Sequence, residues 1–330
     1  LLTTVQDLGR YGYQRQGVVE SGAIYRAAIR IAKKLVGNPE RAAALEITQI
    51  GPALHFEQDT LIALGGAELS ATIQEQPVRL WRPVLVKAGS TLRFGKPVQG
   101  SRTYVAVAGG IDVPELMGSR STYLRAGIGG FQGRALQTSD AIPLGEPSET
   151  ALLLLSELLL QAKKETPFTE ASWSPDPELL PLYQEHPELH VMRGPEFNLF
   201  SENSREYIWN EKYKVTPHSD RMGCTLQGQT LALEQPHELL SAAVCFGTVQ
   251  VPPQGNPIIL QADCQTTGGY PRIIQVIMAD LPKLAQVQTG KTIRFKEVSL
   301  EEAQQAFLLQ EQQIRAIKQA IHMKIHPSHE

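Results

Sequence analysis

A mainly β protein with two successive β-barrel domains is the fold that this sequence predicts. Short apolar runs separated by glycine and proline dominate residues 45–110 and return over residues 189–298, a pattern typical of barrels and sandwiches. Five prolines between residues 165 and 188 leave no room for a regular element, so this stretch is expected to connect the domains. The predicted boundaries are 1–164 for the first β domain, 165–188 for the connection, 189–298 for the second barrel and 299–330 for a helix and tail.

Two short segments repeat in the same order in both halves of the chain. Residues 51–56 resemble residues 194–200, and residues 88–94 resemble residues 289–295. Ordered echoes of this kind indicate a duplicated domain.

Helices are predicted near both ends. Ser21 is a suitable N-cap for a helix whose apolar residues recur at Ile24, Ala28, Ile31 and Leu35, before a Gly-Asn-Pro stop. A second helix begins with a capping box. The capping residues are Ser299 and Glu302. Apolar residues then recur every seven positions, at Leu300, Phe307, Ile314 and Ile321. Because the other seam of that repeat carries Ala303, Gln310, Ile317 and Lys324, we expect the helix to pack on its own domain and not to form a coiled coil.

Composition excludes several classes of protein. Of 330 residues, 31 are basic and 34 acidic, a balance that argues against a nucleic-acid binder. Residues 151–160 form the most apolar stretch, which is too short for a bilayer. The cysteines Cys224, Cys245 and Cys264 show no paired spacing, so we expect reduced thiols and a cytoplasmic location. Since the chain opens at Leu1 without a methionine, a few native residues are expected to precede it.

Motifs for cofactors fail on spacing. The glycines near Lys96 and Lys291 do not form a phosphate loop, and residues 127–133 miss the dinucleotide fingerprint. His186 and His190 could chelate a metal only on a helix that Pro187 breaks, so no metal site is predicted. Lys324 lies in the C-terminal tail without a surrounding barrel, so no covalent biotin is expected.

A turn rich in hydroxyls and glycine is the first candidate site. Thr266 and Thr267 offer two hydroxyls, and Gly268 and Gly269 can adopt positive φ, so several N–H groups could converge on an anion or a carbonyl oxygen. The same residues are equally typical of a tight turn between strands.

Charged residues supply the other candidates. Arg221 could grip an anion or pair with Asp220, and His218 could serve as a general acid or base or be structural. Asp7 and Arg10 lie three positions apart, a spacing that favours a local ion pair in a turn or at an interface.

Four segments carry a resemblance to a known family. They are residues 4–10, 100–122, 218–223 and 250–271, which together resemble the biotin-dependent carboxyltransferase, or allophanate hydrolase subunit 2, family. The resemblance extends over the chain to about residue 303 and implies a pair of cyclophilin-like β-barrels with a few peripheral helices.

The resemblance also implies a function and site residues. It implies a component like the C-type subunit of an ATP-dependent 5-oxoprolinase, which opens 5-oxo-L-proline to L-glutamate together with a KipI-like B-type subunit and an A-type subunit. ATP would be used by the complex, no cofactor would be bound by this chain alone, and the chain would be inactive alone. The implied catalytic residues are His218, Arg221 and Asp263, and the implied substrate-binding residues are Gln265, Thr266, Thr267, Gly268, Gly269 and Tyr270. Arg221 and the 266–269 turn are expected to face one cleft.

Two other functions are consistent with the same resemblance. One is a regulatory protein that binds and antagonises a KipI-like inhibitor of a sensor histidine kinase. The other is a carboxyltransferase, or a component of an allophanate hydrolase or urea amidolyase.

Three positions depart from the family's usual pattern. Tyr25, Thr225 and Ala242 stand where the family usually carries two acids and an arginine. We interpret the joint loss as the removal of one polar cluster, because losing a single member would leave buried partners unpaired. This interpretation favours the regulatory function.

Overall fold

The chain divides into two units that do not follow the linear domain boundaries. The structure, a computed structural model, describes residues 2–180 and 183–326. The first unit contains Leu1–Gly9, Tyr25–Pro181 and Gln312–Glu330, and the second contains Arg10–Ile24 and Leu182–Glu311. The predicted scheme of successive domains therefore differs from the structure at the segment 10–24 and at the C-terminal helix.

The α-helices are short except for the last one. They are α1 (Arg26–Leu35), α2 (Glu149–Gln161), α3 (Glu202–Asn210), α4 (Leu281–Gln286) and α5 (Leu300–Ile325). None of these helices is both long enough and apolar enough to cross a membrane.

The first unit holds two sheets. Its strands are β1 (Leu2–Gln6), β2 (Ala44–Thr48), β3 (Leu54–His55), β4 (Thr60–Glu68), β5 (Thr72–Ile73), β6 (Gln76–Pro77), β7 (Pro83–Val86), β8 (Thr91–Arg93), β9 (Gln99–Val107) and β10 (Phe168–Glu170). A six-stranded sheet has the order β1-β2-β9-β4-β7-β10, and a four-stranded sheet has the order β3-β8-β5-β6. The long strands β4 and β9 are central in the larger sheet and buried along most of their length, as expected for strands covered on both faces.

Helix α1 packs on β4 and β9 through an apolar face that includes Ala28 and Ile31. Gly65 of β4 allows this approach, because a Cβ there would lie 2.8 Å from the Trp81 ring and 3.3 Å from the Ala28 carbonyl oxygen. The predicted Ser21 cap is wrong: the helix begins at Arg26 after Tyr25, without a side-chain cap. Ser21 instead has a left-handed backbone, with φ of 58°, and bonds Asp263.

The second unit contains a closed barrel. Its strands are β11 (Glu188–Arg193), β12 (Tyr213–Val215), β13 (Gly223–Gln227), β14 (Ala242–Ala243), β15 (Thr248–Gln250), β16 (Ile258–Leu260), β17 (Thr267–Gly268), β18 (Arg272–Val276) and β19 (Thr292–Glu297). The barrel order is β11-β18-β15-β16-β13-β12-β19, and β14 and β17 form a separate pair. Strand β19 closes the barrel by pairing with β11 in parallel and with β12 in antiparallel. It alternates as a barrel strand should, with Ile293 and Phe295 buried and Arg294 and Lys296 exposed.

The mainly β fold with few helices is confirmed. Barrel closure is seen in the second unit, whereas the described residues of the first unit form the two sheets given above. The repeated segment at 88–94 and 289–295 corresponds to a strand in each unit, β8 and β19. The other repeated segment differs, because it holds β3 in one unit and a 3₁₀ turn, Phe197–Leu199, in the other.

The proline-rich stretch 165–188 contains regular structure after all. Residues Phe168–Glu170 form β10, which pairs with β7 at the edge of the larger sheet. The prediction of no element there is wrong because the prolines flank these three residues, and an edge strand needs hydrogen bonds on one side only.

The capping box of α5 is confirmed. The Glu302 backbone N–H donates to Ser299 Oγ at 3.1 Å, and the Ser299 backbone N–H donates to Glu302 Oε2 at 2.7 Å. Ile314 and Ile321 of the predicted repeat are buried, but Leu300 is 55% exposed. Residues 327–330 of the predicted tail lie outside the described residues.

Helix α1 carries an unusual buried lysine. Lys33 is 1% exposed and donates from Nζ to the carbonyl oxygens of Glu40 and Ala42, the latter at 3.1 Å. The pKa of Lys33 is lowered to about 7, chiefly by burial and to a smaller extent by Lys318 and Arg30, whereas Asp7 opposes the shift. Within the described part of the chain, the positive charge of Lys33 is thus met by carbonyl dipoles and by no adjacent carboxylate.

The stability of the protein should rise with pH in part because of Lys33. An unfolded lysine has a pKa near 10.5, so between pH 7 and pH 10 the unfolded chain binds more protons at this site than the folded chain. We expect Lys33→Met to remove a rise in unfolding free energy on the order of 1 kcal/mol per pH unit in this range. Urea unfolding of both proteins at pH 7, 8 and 9 measures the difference in slope, and equal slopes would contradict the prediction.

Candidate functional site

A buried ion pair lies at the centre of the candidate site in the second unit. Arg221 precedes β13 and Asp263 follows β16, and the two side chains are each 4% exposed. The guanidinium donates from Nε to Asp263 Oδ2 at 2.9 Å and from Nη2 to Asp263 Oδ1 at 3.0 Å. This is the two-pronged geometry for which arginine is suited.

The ion pair also holds the segment before α1. Arg221 Nη2 donates to the Gly22 carbonyl oxygen at 2.6 Å, and Ser21 Oγ donates to Asp263 Oδ1 at 2.7 Å. The Ser21 backbone N–H donates to the Ala262 carbonyl oxygen at 2.9 Å. We call Arg221, Asp263, Ser21 and Gly22 the arginine–aspartate cluster. Its bonds keep Ser21 in a backbone conformation that a non-glycine residue rarely adopts.

Backbone bonds continue the β13–β16 pairing into this cluster. The Asp263 N–H donates to the Arg221 carbonyl oxygen at 2.8 Å, and the Gln261 N–H donates to the Met222 carbonyl oxygen at 2.9 Å. These backbone hydrogen bonds therefore bring the Arg221 and Asp263 side chains within reach of each other. Removing one partner of a satisfied buried pair leaves a buried charge without compensation, which is strongly destabilising.

Asp220 is not the partner of Arg221. Its Oδ1 accepts the backbone N–H groups of Met222 at 2.8 Å and Gly223 at 3.1 Å, so it closes the turn before β13. The predicted Asp220–Arg221 pair is corrected to Arg221–Asp263.

The predicted substrate-binding residues form a more exposed segment directly after Asp263. Gln265, Thr267, Gly269 and Tyr270 are exposed, while Thr266 and Gly268 are half-buried. Thr267 and Gly268 form β17, which pairs with β14. The structure gives no hydrogen bond to the hydroxyls of Thr266 and Thr267 from any residue in the described ranges.

Gly268 is required by close packing and not by its backbone angle. Neither Gly268 nor Gly269 has positive φ, so that expectation is wrong. A Cβ at Gly268 would lie 2.5 Å from Gln250 Nε2, and the same Nε2 donates to the Tyr270 carbonyl oxygen at 3.2 Å. The buried Gln250 side chain thus packs against Gly268 and binds the backbone of the 267–270 segment.

Cys264 lies between the ion pair and this segment. Burial raises the pKa of the Cys264 thiol to about 12, and Cys245, Glu20 and Asp263 add to the shift. The thiol stays protonated at neutral pH, so Cys264 is a poor nucleophile.

His218 is exposed in the loop between β12 and β13. Ser219 and Asp220 hold this loop, since Ser219 Oγ accepts the Thr225 backbone N–H at 3.0 Å. A solvent-accessible imidazole on a held loop is compatible with acid–base chemistry, although the structure shows no bond between His218 and the arginine–aspartate cluster among the described residues.

Asp7, in the first unit, anchors the end of β1. It accepts hydrogen bonds from Ser119 Oγ at 2.7 Å, from Ser121 Oγ, from the Arg120 N–H at 2.6 Å and from the Gly9 N–H at 2.9 Å. Arg10 is fully buried in the second unit, where its backbone N–H donates to the Glu20 carbonyl oxygen at 2.6 Å. Asp7 is therefore a structural anchor in this geometry.

The three departing positions fall on different elements. Tyr25 is 3% exposed before α1, Thr225 lies on β13, and Ala242 lies on β14. The Tyr25 N–H donates to Tyr104 Oη at 2.9 Å, and Tyr104 Oη donates to Glu46 Oε2 at 2.6 Å. The sequence did not indicate these buried hydrogen bonds, nor the hydrogen bond from Ser21 to Asp263. The one signal for Ser21 was its place in the Ser-Gly-Ala motif at residues 21–23.

No group of three His, Cys, Asp or Glu side chains within the described ranges is placed to hold a metal ion.

Loss of the Arg221 side chain should destabilise the protein. We expect Arg221→Ala to lower the free energy of unfolding by about 3–5 kcal/mol, because Asp263 would remain buried without its partner. The double variant Arg221→Met/Asp263→Leu should lose less, since neither charge is left behind. Urea unfolding measures both values, with the exposed Arg294→Ala as control, and a wild-type value for Arg221→Ala would show that the pair is dispensable.

Comparison with known proteins identifies the family. A model of the carboxyltransferase domain, subdomains A and B, matches residues 16–297. The chain is 41% identical to the C-type subunit of 5-oxoprolinase from Escherichia coli over 308 residues, which are 93% of this chain and 91% of that protein. It is 40% identical to the C-type subunit of 5-oxoprolinase from Haemophilus influenzae over 300 residues, 91% of this chain and 89% of that protein.

A solved structure supports the same assignment. The crystal structure of the Kluyveromyces lactis urea amidolyase matches 96% of this chain with a TM-score of 0.85 and 32% identity, and the match spans 19% of that longer chain. The resemblance found in the sequence is thus confirmed at the level of the family and of the fold. The chain belongs to the carboxyltransferase domain family with subdomains A and B.

Proposed function

We propose that this chain is the C-type subunit of an ATP-dependent 5-oxoprolinase, which opens 5-oxo-L-proline to L-glutamate with a KipI-like B-type subunit and an A-type subunit. The observation that carries the proposal is the identity of 41% across 91% of the length of the E. coli C-type subunit. The urea amidolyase match has lower identity and spans only 19% of that chain, which favours the 5-oxoprolinase assignment over a urea-type carboxyltransferase.

The chemistry explains what such a site must provide. A lactam resists water because of amide resonance, and phosphorylation of its oxygen by ATP would create a good leaving group. Groups that stabilise negative charge on the amide oxygen are then required. We assign this purpose to the hydroxyls of the half-buried Thr266 and the exposed Thr267, and to the exposed His218.

Arg221 has a different part in this proposal than the sequence predicted. Its Nε and Nη2 already bind Asp263 and Gly22 in a buried position, so we assign it as a positioning residue. Together with Asp263, it would hold the backbone from which the 265–270 segment emerges. Whether this segment and Arg221 border one cleft stays a prediction.

An exposed leucine face on α2 supports a partner protein. Leu152, Leu153, Leu159 and Leu160 are 49%, 47%, 39% and 90% exposed, whereas Ala151, Leu154 and Leu158 are buried on the opposite side. Several exposed leucines on one side of a helix are typical of protein interaction sites. We assign the leucine face to the KipI-like B-type subunit, because two relatives that this chain covers to about nine-tenths of their length are named as subunits.

A regulatory function is the second candidate, and one specific observation favours it. The usual charged residues are replaced by Tyr25, Thr225 and Ala242, and Tyr25 now occupies a fully packed position. Such a chain could bind a KipI-like inhibitor of a sensor histidine kinase without turning over a substrate. We place the protein in the cytoplasm with either function.

The 5-oxoprolinase assignment should be testable by reconstitution. We expect 5-oxoproline-dependent ATP hydrolysis when this chain is combined with its KipI-like B-type and A-type partners, and no hydrolysis when any one of the three is omitted. The reason is that this chain has no nucleotide loop of its own. A complex that forms but does not hydrolyse ATP would support the regulatory function, and activity of the isolated chain would refute both candidates.

The leucine face can be tested separately from catalysis. We expect Leu152→Gln/Leu160→Gln to weaken binding to the KipI-like partner by about tenfold or more, because apolar anchors dominate interface energies. Glutamine retains helix propensity, so the melting temperature should be unchanged. Calorimetric titration measures the affinity, with Leu300→Gln as control for an exposed leucine elsewhere. Wild-type affinity in the double variant would assign the contact to another surface.

A further inference from the structure

A second arginine–carboxylate pair lies at the C-terminal end of the 265–270 segment. Arg272, the first residue of β18, donates from Nε to Glu196 Oε2 at 2.8 Å and from Nη2 to Glu196 Oε1 at 2.6 Å. The Arg272 backbone N–H also donates to Glu196 Oε2, at 2.9 Å. The two side chains are 19% and 12% exposed, so this two-pronged pair is largely removed from water, where such bonds are stronger than at an open surface.

A tight turn after β11 holds Glu196 against the start of β18. Glu196 lies in one of the repeated segments of the sequence, residues 194–200. The Gly194 N–H donates to the Ile273 carbonyl oxygen at 2.8 Å, and a Cβ at Gly194 would lie 2.1 Å from the Arg272 carbonyl oxygen. Only glycine permits this approach, so the turn fixes the backbone from which the Glu196 side chain reaches Arg272.

The same guanidinium binds the strand that pairs with the 265–270 segment. Arg272 Nη1 donates to the Ala243 carbonyl oxygen at 3.0 Å, and Ala243 of β14 is paired with Thr267 of β17. Strands β14 and β17 form a pair that is separate from the closed barrel and has two residues in each strand. A pair this short is marginally stable by itself, so its position depends on bonds to its surroundings.

We propose that Arg272 and Glu196 are positioning residues, which hold the 265–270 segment in the conformation that binds the lactam substrate. The inference rests on the proposed function, because that function assigns substrate binding to this segment. The Arg221–Asp263 pair already fixes the chain before the segment. The Glu196–Arg272 pair fixes the chain after it. A segment held at both ends has less freedom to lose when a ligand binds, so the affinity depends on both pairs.

Loosening one end of the segment should weaken substrate binding and leave the chemical step intact. If the segment occupies its binding conformation for only a fraction of the time, the apparent dissociation constant rises by the inverse of that fraction. A substrate that has bound meets the same groups as in the wild type. KM should therefore rise while kcat stays nearly constant, whereas the loss of a group that stabilises the transition state would lower kcat.

Amide hydrogen exchange of the full chain, followed by mass spectrometry, tests whether the pair holds the segment. In Glu196→Gln one acceptor oxygen remains, and in Arg272→Lys the positive charge remains, but neither variant can form the two-pronged pair. We expect peptides that span residues 242–244 and 265–270 to exchange about tenfold faster in both variants, as for the loss of a charge-assisted hydrogen bond. Peptides from β4 and β9 of the first unit, the internal reference, should exchange as in the wild type.

Steady-state kinetics of the reconstituted complex tests whether the substrate depends on this positioning. We expect KM for 5-oxoproline to rise about tenfold in Glu196→Gln and Arg272→Lys, with kcat within about twofold of the wild type. Glu297→Gln is the matched control, because it removes a carboxylate from the more exposed pair with Arg193, whose side chains are 42% and 54% exposed. This control should change neither KM nor the exchange rates.

Three results would overturn the inference. They are wild-type exchange in both variants, exchange that is equally faster in β4 and β9, and faster exchange of the segment with an unchanged KM. The second result would show a general loss of stability, and the third a purely structural pair. A wild-type complex that does not hydrolyse ATP would count against the proposed function alone, since the exchange rates still decide whether the Glu196–Arg272 pair holds the segment.

Discussion

The Asp263 side chain is 4% exposed, and its position constrains much of the second unit. A carboxylate at such a depth is stable only when its oxygens are occupied, and Arg221 and Ser21 occupy them. These bonds add to the backbone pairing of β13 and β16 and hold Ser21 in a left-handed conformation. The exposed 265–270 segment leaves the barrel from this fixed point, so the buried ion pair determines where its hydroxyls lie.

This arrangement separates buried, hydrogen-bonded groups from exposed ones. The buried groups Arg221, Asp263 and Gln250 bind one another or the backbone, whereas Thr267, Tyr270 and His218 remain accessible. A catalytic or binding segment benefits from such separation, because its supporting groups are already satisfied and do not compete for the ligand. The charged side chain that looks most catalytic in the sequence is thus the one that the fold uses for support.

The first unit shows how the type of partner decides the behaviour of a buried charge. Asp7 is surrounded by two hydroxyls and two backbone N–H groups, and these donors match a carboxylate. Among the described residues, Lys33 Nζ donates to two carbonyl oxygens, and burial lowers the pKa of Lys33 to about 7 although Asp7 opposes the shift.

The sequence by itself determined the fold class, the family and those elements whose signals are local. The capping box at Ser299 and Glu302 was predictable because both partners lie within one helical turn. The barrel strands followed from apolar runs, since alternation along a strand needs no knowledge of distant residues. The tertiary structure decided the pairings between distant positions. The partner of Arg221 is 42 residues away and not the adjacent Asp220, and Ser21 binds a residue 242 positions later instead of capping α1. Gly268 is needed because Gln250 packs against it, which no backbone rule could indicate. Local patterns encode hydrogen bonds within a turn or a strand, whereas burial and charge pairing depend on which segments the fold brings together.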